Sequence, residues 1–514
     1  MEKEHEPTGN EYSVPIGPLG KSRRSIGSAT IRGSAVTFGA QWFSRIVGLA
    51  STVVLARVLA PSDFGIFALG LTVPVILGAL ISVSPSEYLQ RVKALDREKL
   101  DTAFTISFVR GLLVALLVFI AAAVAAVVQP DPRLPQVLCA FALSPVIESF
   151  SNPRTVEYAR AMDFGFMARL QISTKLVGSV VGIIIALVFR SYWALVIGGL
   201  AKSITWLGMT YFGKPYRPHF SLADWRDAVA FSMWLVFRNM IDVVGKQADR
   251  LIVAQWAGLA AVGSFAVAKD FAWMTAAELF DTAQNVLFPA FGNFRHKPQE
   301  LQRNVIETYA LLVALALPWT IGAALVGPQI MILIYGEKWG TAAAMVTPLA
   351  IALTFQSTET IASALVLATG SPRSLMIRTA VGTTLRLSLL TIGLVFFNIQ
   401  TAIWLLVPAT IVTATINLAL LSTLTGLPSR VFASSVWRSW VAVGLMSAVV
   451  LWVGRCIPQA DGTISLLMVV SAKISAGAIT YIVVNLLAWR LLGCPPGPET
   501  RILSIVSRRP VRSI

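Results

Sequence analysis

Charge is scarce in this chain of 514 residues: 13% are Asp, Glu, Lys or Arg, against roughly 25% in soluble globular proteins. A surface facing water is not covered at that density, so a soluble enzyme of two or three domains is excluded. Cysteine and histidine are scarcer still, at three residues each. Cys139, Cys456 and Cys494 lie far apart with no Cys-x-x-Cys spacing, so neither a disulfide framework nor a Cys/His metal site is supported. The first thirty residues lack a short apolar run and end in Lys21, Arg23, Arg24 and Arg32. No signal peptide is expected ahead of the first long hydrophobic segment, and the N-terminus is expected to be retained.

What is abundant is apolar: 55% of residues are hydrophobic and the mean hydropathy is +0.71. A spanning helix takes about 20 apolar residues. Breaks at Pro, Gly and charge clusters give fourteen such segments, near 31–59, 63–88, 103–127, 135–152, 166–189, 192–212, 229–257, 261–287, 308–334, 343–368, 374–397, 401–424, 437–456 and 464–489. The fold expected is an all-α polytopic membrane protein, and its short connections leave no room for an extramembrane domain.

Lys and Arg accumulate in cytoplasmic loops. Alternate loops and the two tails hold 27 basic residues, among them Arg91, Arg154, Lys214, Arg226, Lys297, Arg378 and Arg438, and the opposite loops hold five: Arg57, Arg133, Arg190, Lys338 and Arg455. This alternation predicts an even number of spans with both termini cytoplasmic. Most of the net charge of +16 is then topology and adhesion to an anionic inner leaflet, with no need for nucleic acid.

A shift of 198 residues lays Val54–Leu69 over Ile252–Val267 and aligns Gly65 with Gly263, Phe67 with Phe265 and Ala68 with Ala266. Chance likeness of apolar helices is the competing account. Read as a duplication, it gives a cytoplasmic tail at 1–30, an N-lobe of six helices at 31–212, a cytoplasmic linker at 213–228, a C-lobe of six helices at 229–424, two extra helices at 437–489 and a cytoplasmic tail at 490–514. Two pseudo-symmetric lobes are a recurring transporter plan.

Ten bases fall inside the segments: Arg45, Arg110, Lys175, Lys202, Arg238, Lys246, Arg250, Lys269, Arg386 and Lys473. Facing lipid at helix centres they would cost roughly 25–35 kcal/mol together, more than a typical domain's stability of about 5–15 kcal/mol. Those near helix ends reach the interface; the central ones should face a wet interior. In the seventh segment Arg238, Asp242, Lys246 and Asp249/Arg250 share one helical face. An internal ladder tying helices together is the plainer account, but three positive charges among five exceed what pairing requires. Gln41 and Arg45 hold the corresponding place in the first segment. Lys269, Asp270, Glu278 and Asp281 mark the eighth, and Thr354 to Glu359 a polar cluster in the tenth that suits either sugar hydroxyls or helix packing.

Leu55-Ala-Arg-Val-Leu-Ala-Pro-Ser-Asp-Phe-Gly-Ile-Phe-Ala-Leu69 resembles the signature at the start of the polysaccharide transporters, the oligosaccharide-lipid flippases of the multidrug/oligosaccharidyl-lipid/polysaccharide superfamily. Asp249–Gly258 followed by Gly263, and Tyr335-Gly-Glu-Lys-Trp339, are similar to further pieces of that family. Ala60 and Phe67 depart from it conservatively. The resemblance implies that helices 1, 2, 7 and 8 line a cavity between the halves, and that the substrate is a polyprenyl-pyrophosphate oligosaccharide carried across the bacterial inner membrane for surface polysaccharide synthesis. Arginine's rigid fork suits phosphate, so Arg45, Arg238, Lys246, Arg250 and Lys269 are the head-group candidates. Gln41, Asp242, Asp249, Asp270, Glu278 and Asp281 are candidates for lining the cavity or coupling to Na⁺ or H⁺. No other cofactor is expected, and partners beyond substrate and lipid would be the polysaccharide polymerase and export machinery.

A multidrug cation exporter would favour unpaired buried acids; here seven embedded acids face ten bases. A peptidoglycan-precursor flippase fits the same arithmetic. A lipid-dependent glycosyltransferase or polymerase would show a large external loop with catalytic carboxylates, whereas the external loops offer only Asp63, Asp131, Glu337 and Asp461. A membrane scaffold needs no charged transmembrane stripe.

Overall fold

A computed structural model describes residues 23–492 except 82–84, 93, 129–130, 162, 295, 371 and 458–462; most of both expected tails lies outside the described residues. Among the described residues every regular element is helical. The chain divides into two compact units between Gln247 and Ala248. The first contains α1 (Arg23–Val58), α2 (Pro61–Leu80), α3 (Pro85–Arg91), α4 (Arg97–Val128), α5 (Arg133–Phe141), α6 (Leu143–Ser149), α7 (Thr155–Arg160), α8 (Phe164–Phe189) and α9 (Trp193–Tyr211). Helix α10 (Trp225–Ala257) runs unbroken through the boundary. The second unit continues with α11 (Leu259–Asn293), α12 (Pro298–Tyr335), α13 (Gly340–Thr354), α14 (Gln356–Thr369), α15 (Pro372–Phe396), α16 (Ile399–Trp404), α17 (Leu406–Thr425), α18 (Ser429–Cys456) and α19 (Thr463–Leu491).

Ten stretches among the described residues are long and apolar enough to cross a membrane. The other four expected spans are helical too, as α5 with α6, α9, α10 and α11. Lys202 and the charges of α10 and α11 lower their apolarity, and α5 and α6 are each too short alone. Large apolar side chains such as Leu116, Ile120 and Val124 on α4, and Ile479, Ile482 and Leu487 on α19, are exposed, which suits a lipid surround.

Proline explains two breaks that the hydrophobic pattern hides. It has no N–H to give the carbonyl four residues back. Helix α5 stops at Phe141, four before Pro145, and α16 stops at Trp404, four before Pro408. At the break at Phe355 the Thr358 hydroxyl donates to the Phe355 carbonyl at 2.7 Å, and the Thr358 N–H reaches the same carbonyl from only three residues away.

In the first unit α1 packs on α8, α8 on α9, and α4 on α5 and α6. Helices α8 and α9 meet backbone to backbone: a Cβ on Gly198 would lie 2.9 Å from the Gly178 carbonyl oxygen and 3.2 Å from the Gly182 Cα. Small residues permit such an approach where lipid supplies no hydrophobic drive.

The segment after α9 is fastened to its own unit. Glu157, nearly buried, receives the Arg154 Nε at 2.7 Å and pairs with Lys214. The Asn152 amide donates to the Lys214 carbonyl at 2.8 Å, the Tyr216 hydroxyl to Asp101 at 2.6 Å, and the Ser221 N–H to the Thr105 hydroxyl at 3.0 Å. Burial disfavours the Glu157 carboxylate, but the bonds from Arg154 and Lys214 more than offset it and hold its pKa below the ordinary glutamate value. Burial first, and then the bond to Asp101, push the Tyr216 hydroxyl up.

In the second unit α11 packs on α12, α13 and α14, α12 on α13, α18 and α19, and α15 on α16 and α17. Phe280, Phe291, Tyr309, Leu317, Phe432 and Met446 belong to one apolar core. At the 198-residue offset the burial pattern recurs: Leu55 and Val253, Phe64 and Val262, Ile66 and Ser264, Ala68 and Ala266, and Leu69 and Val267 are all buried. Helix α2 starts at Pro61 and α11 at Leu259, one offset apart.

Candidate anion site

A carboxylate inside an apolar bundle costs several kcal/mol unless charges and hydrogen bonds surround it, and Asp249 is such a carboxylate, 4% exposed at its side chain. It sits on α10 two residues into the second unit. Its Oδ2 accepts the Lys269 Nζ at 2.5 Å and lies 3.9 Å from an Arg386 terminal nitrogen. Its Oδ1 accepts the Arg250 backbone N–H at 2.9 Å. The neighbouring Arg250 guanidinium is 3.8 Å from Asp270. Among the described residues, three cations and two acids therefore meet where α10, α11 and α15 converge.

The local folding explains this convergence. Gly258, at φ +80°, turns the chain between α10 and α11 and sends α11 back beside α10, so that Lys269 and Asp270 return to the level of Asp249 and Arg250. The Lys269 ammonium also lies 5.6 Å from the centre of the Phe265 ring, a favourable cation–π placement. The acid is deepest and the bases stand outside it: the Arg250 side chain is 15% exposed and those of Lys269 and Arg386 28%, while Asp270 is 76% exposed.

Of the residues expected at the site from sequence, Asp249, Arg250, Lys269 and Asp270 are thus brought together. Asp281 lies on α11 eleven residues beyond Asp270, about 16 Å along the helix, and is exposed. Gln41 and Arg45 are half-buried on α1 and Lys246 is exposed on α10, all three in the first unit. The side chains of Arg238, Asp242 and Glu278 lie outside the described residues. Arg386 was legible only as a lone arginine in an apolar run, with nothing in the sequence to assign it a partner.

The remaining buried bases have other tasks. Arg110 donates to the Gly78 carbonyl at 3.3 Å. Lys473, for which the sequence offers no evident partner, donates to the Gln329 amide oxygen at 3.0 Å. Arg378 and Arg438, which the loop arithmetic counts on the cytoplasmic side, are 6% and 9% exposed, because they fall in the second turn of α15 and the third turn of α18. Arg378 bonds Asn417 at 2.8 Å and Ser363 at 3.2 Å and pairs with Glu359 at 3.5 Å. The polar cluster of the tenth segment is spent largely on packing: Thr354 bonds Thr320 at 3.0 Å, and Thr360 returns to the Gln356 carbonyl at 3.1 Å.

Residues 54–344 match the family described as "Polysaccharide biosynthesis protein". The chain is similar to lipopolysaccharide biosynthesis protein WzxC of Escherichia coli (strain K12), 23% identical over 57% of this chain and 61% of that protein. It is also similar to succinoglycan biosynthesis transport protein ExoT of Rhizobium meliloti (strain 1021), 22% identical over 56% and 59%. The alignments thus span about three fifths of each relative's length. Among solved structures it shares its fold with lipid II flippase MurJ in an inward closed conformation, at a TM-score of 0.70 and 15% identity over 89% of this chain and 99% of that one. An inward-facing multidrug resistance MATE transporter follows at 0.56 and 15% identity, over 74% and 95%.

Proposed function

This chain belongs to the polysaccharide biosynthesis protein family, and from that membership we propose that it is a flippase, moving a polyprenyl-pyrophosphate-linked oligosaccharide across the bacterial inner membrane by alternating access for surface polysaccharide synthesis. The observation that carries the reading is the basic cluster of Arg250, Lys269 and Arg386 around buried Asp249. A pyrophosphate head is multiply anionic, and charge-assisted bonds to it strengthen in a low-dielectric surrounding. A hydrophobic cation gains nothing there, so the drug-exporter reading is the weaker one. The similarity to proteins named for lipopolysaccharide and succinoglycan synthesis supports a glycan cargo.

Within this reading Arg45, Arg238 and Lys246 are further head-group candidates, and Gln41, Asp242, Asp249, Asp270, Glu278 and Asp281 are the candidates for lining the cavity or coupling to Na⁺ or H⁺. Both termini are cytoplasmic, and the exported product passes to a polymerase. No bond is made or broken in the substrate, so no catalytic residue is assigned.

The deciding measurement is transbilayer movement of a labelled lipid-pyrophosphate oligosaccharide in proteoliposomes. Movement that requires the protein is the expected result. Unchanged movement, with transport of a cationic dye instead, would give the function to the exporter class. In cells, Arg250→Ala is expected to lower surface polysaccharide at least about tenfold at unchanged membrane abundance, and normal export in Arg238→Ala, Lys246→Ala and Arg250→Ala alike would remove the cationic stripe from the mechanism.

A further inference from the structure

We propose that the exposed face of α11 is a glycan track, on which Trp273 stacks against a sugar ring and Gln284 bonds sugar hydroxyls. The inference deepens the flippase reading and rests on it for the ligand, while its geometry belongs to the second unit alone.

The hydrophobic pattern expects α11 to span from 261 to 287, yet one exposed face of it is polar. Asp270, Trp273, Asp281 and Gln284 are exposed and, at about 100° per residue, fall within an arc of about 80°, while Ala272, Ala276, Phe280 and Leu287 are buried. Carboxylates and an amide are costly against lipid tails, so this face looks onto water or a polar ligand. A tryptophan is out of place there. In membrane proteins it gathers at the level of the head-groups, whereas Trp273 stands near the middle of the expected span, about 21 Å along the helix from Leu259. Its ring is held: it lies 6.4 Å from the Phe280 ring at 36°, and Phe280 is 2% exposed in the apolar core, while Trp273 remains 39% exposed.

An aromatic ring fixed among polar groups matches a partner that is apolar on its broad side and polar at its rim. A sugar ring is such a partner: the electron-rich indole face attracts its C–H bonds, and its hydroxyls bond to carboxylates and amides. The place where the track begins supports the same occupant. Asp270 lies 3.8 Å from Arg250 and directly follows Lys269, so one end of the face adjoins the basic cluster, and from there it runs about 21 Å to Gln284. An oligosaccharide joined to a diphosphate at the cluster would lie along it. An organic cation would also be drawn to an indole face, but at Trp273 it would stand one helical turn from Lys269, whose charge repels it and leaves a neutral sugar unaffected.

The experiment compares the binding of two probes to the purified full-length chain: undecaprenyl pyrophosphate, and the polyprenyl-pyrophosphate oligosaccharide extracted from the cells that make this chain. Movement of the second probe in proteoliposomes is followed in parallel. Trp273→Leu is expected to weaken binding of the glycosylated lipid about tenfold and to bind undecaprenyl pyrophosphate within about twofold of the parent, a difference that general damage to the fold does not produce. Trp273→Phe should recover most of the loss. Gln284→Ala, which trims an exposed side chain, should weaken the glycosylated lipid about threefold and leave the bare one unchanged; should Trp273→Leu not fold, this variant decides by itself. The proposal is overturned if folded Trp273→Leu binds the glycosylated lipid like the parent, if it weakens both probes equally, or if the loss falls on a quaternary-ammonium dye instead. The expected binding pattern without any protein-dependent movement of lipid-linked oligosaccharide would leave the track standing and refute the flippase reading. Movement at the parent's rate and apparent KM in both Trp273→Leu and Gln284→Ala would do the reverse.

Discussion

Asp63 shows how a recognised motif residue earns its place. Its carboxylate accepts the Ala60 backbone N–H at 2.9 Å, closing the first turn of α2, and Pro61 opens that helix without wasting an N–H. Asp63 also lies 3.6 Å from Arg133, which binds Asp131 at 2.7 Å. Trp339, at the other end of the family resemblance, is fully buried just after Gly336, whose φ of +97° admits only glycine comfortably. Asp63→Ala should lower thermal stability in detergent by about 0.5–2 kcal/mol, and Trp339→Ala by about 3–5 kcal/mol, both read from melting curves. At the same scale, Glu157 has a depressed pKa, so its contribution to holding Lys214 is complete above the unfolded glutamate value of about 4.3 and is lost as pH falls through the lower folded value. Hydrogen exchange at 213–221 should therefore be protected and constant from neutral pH down to about 5, with protection falling below about 4. Glu157→Gln should lower the protection near Lys214 at neutral pH, while the bonds of Tyr216 and Ser221 persist.

At the scale of the element, helix existence and type were legible because a 20-residue apolar run has few other stable states in a bilayer. Helix integrity was not. The segment near 135–152 reads as one span because its apolar residues continue through Ala142; only the carbonyl orphaned by Pro145 divides it. Other prolines, at 74, 318, 328 and 348, lie inside continuous helices, so proline alone does not forecast a break. Helix pairing was equally hidden. Gly198→Val should force α8 and α9 apart, since its Cβ would meet backbone, not a yielding side chain. A drop of several degrees in melting temperature is expected, whereas Gly208→Ala, with open space around it, should melt like the parent.

At the scale of the whole molecule, charge arithmetic counts Arg378 and Arg438 with the loops, whereas they sit in the second turn of α15 and the third turn of α18 and are buried, a difference that a count of charges does not register. The candidate site was legible by half. Periodicity places Asp249 and Arg250 on one face of α10, and the polar pair in α11 stands out, but contact between α10 and α15 has no local signature, and so Arg386 was left without a role. Orientation can be checked with the free thiol of Cys456, which is exposed at the end of α18. In a chain whose only cysteine is Cys456, an impermeant maleimide should label intact spheroplasts. A cysteine replacing Ser221 in a chain with no other cysteine should label only after permeabilisation, and the reverse pattern would invert the topology.

The capping carboxylate of Asp63 and the buried ring of Trp339 also bear on how genomes are read. Both residues secure helix junctions and neither belongs to the candidate anion site, so a search built on their motifs collects chains that share a scaffold. Sorting such a collection by the proposed cargo calls for other positions, the side chains that stand where α10, α11 and α15 converge.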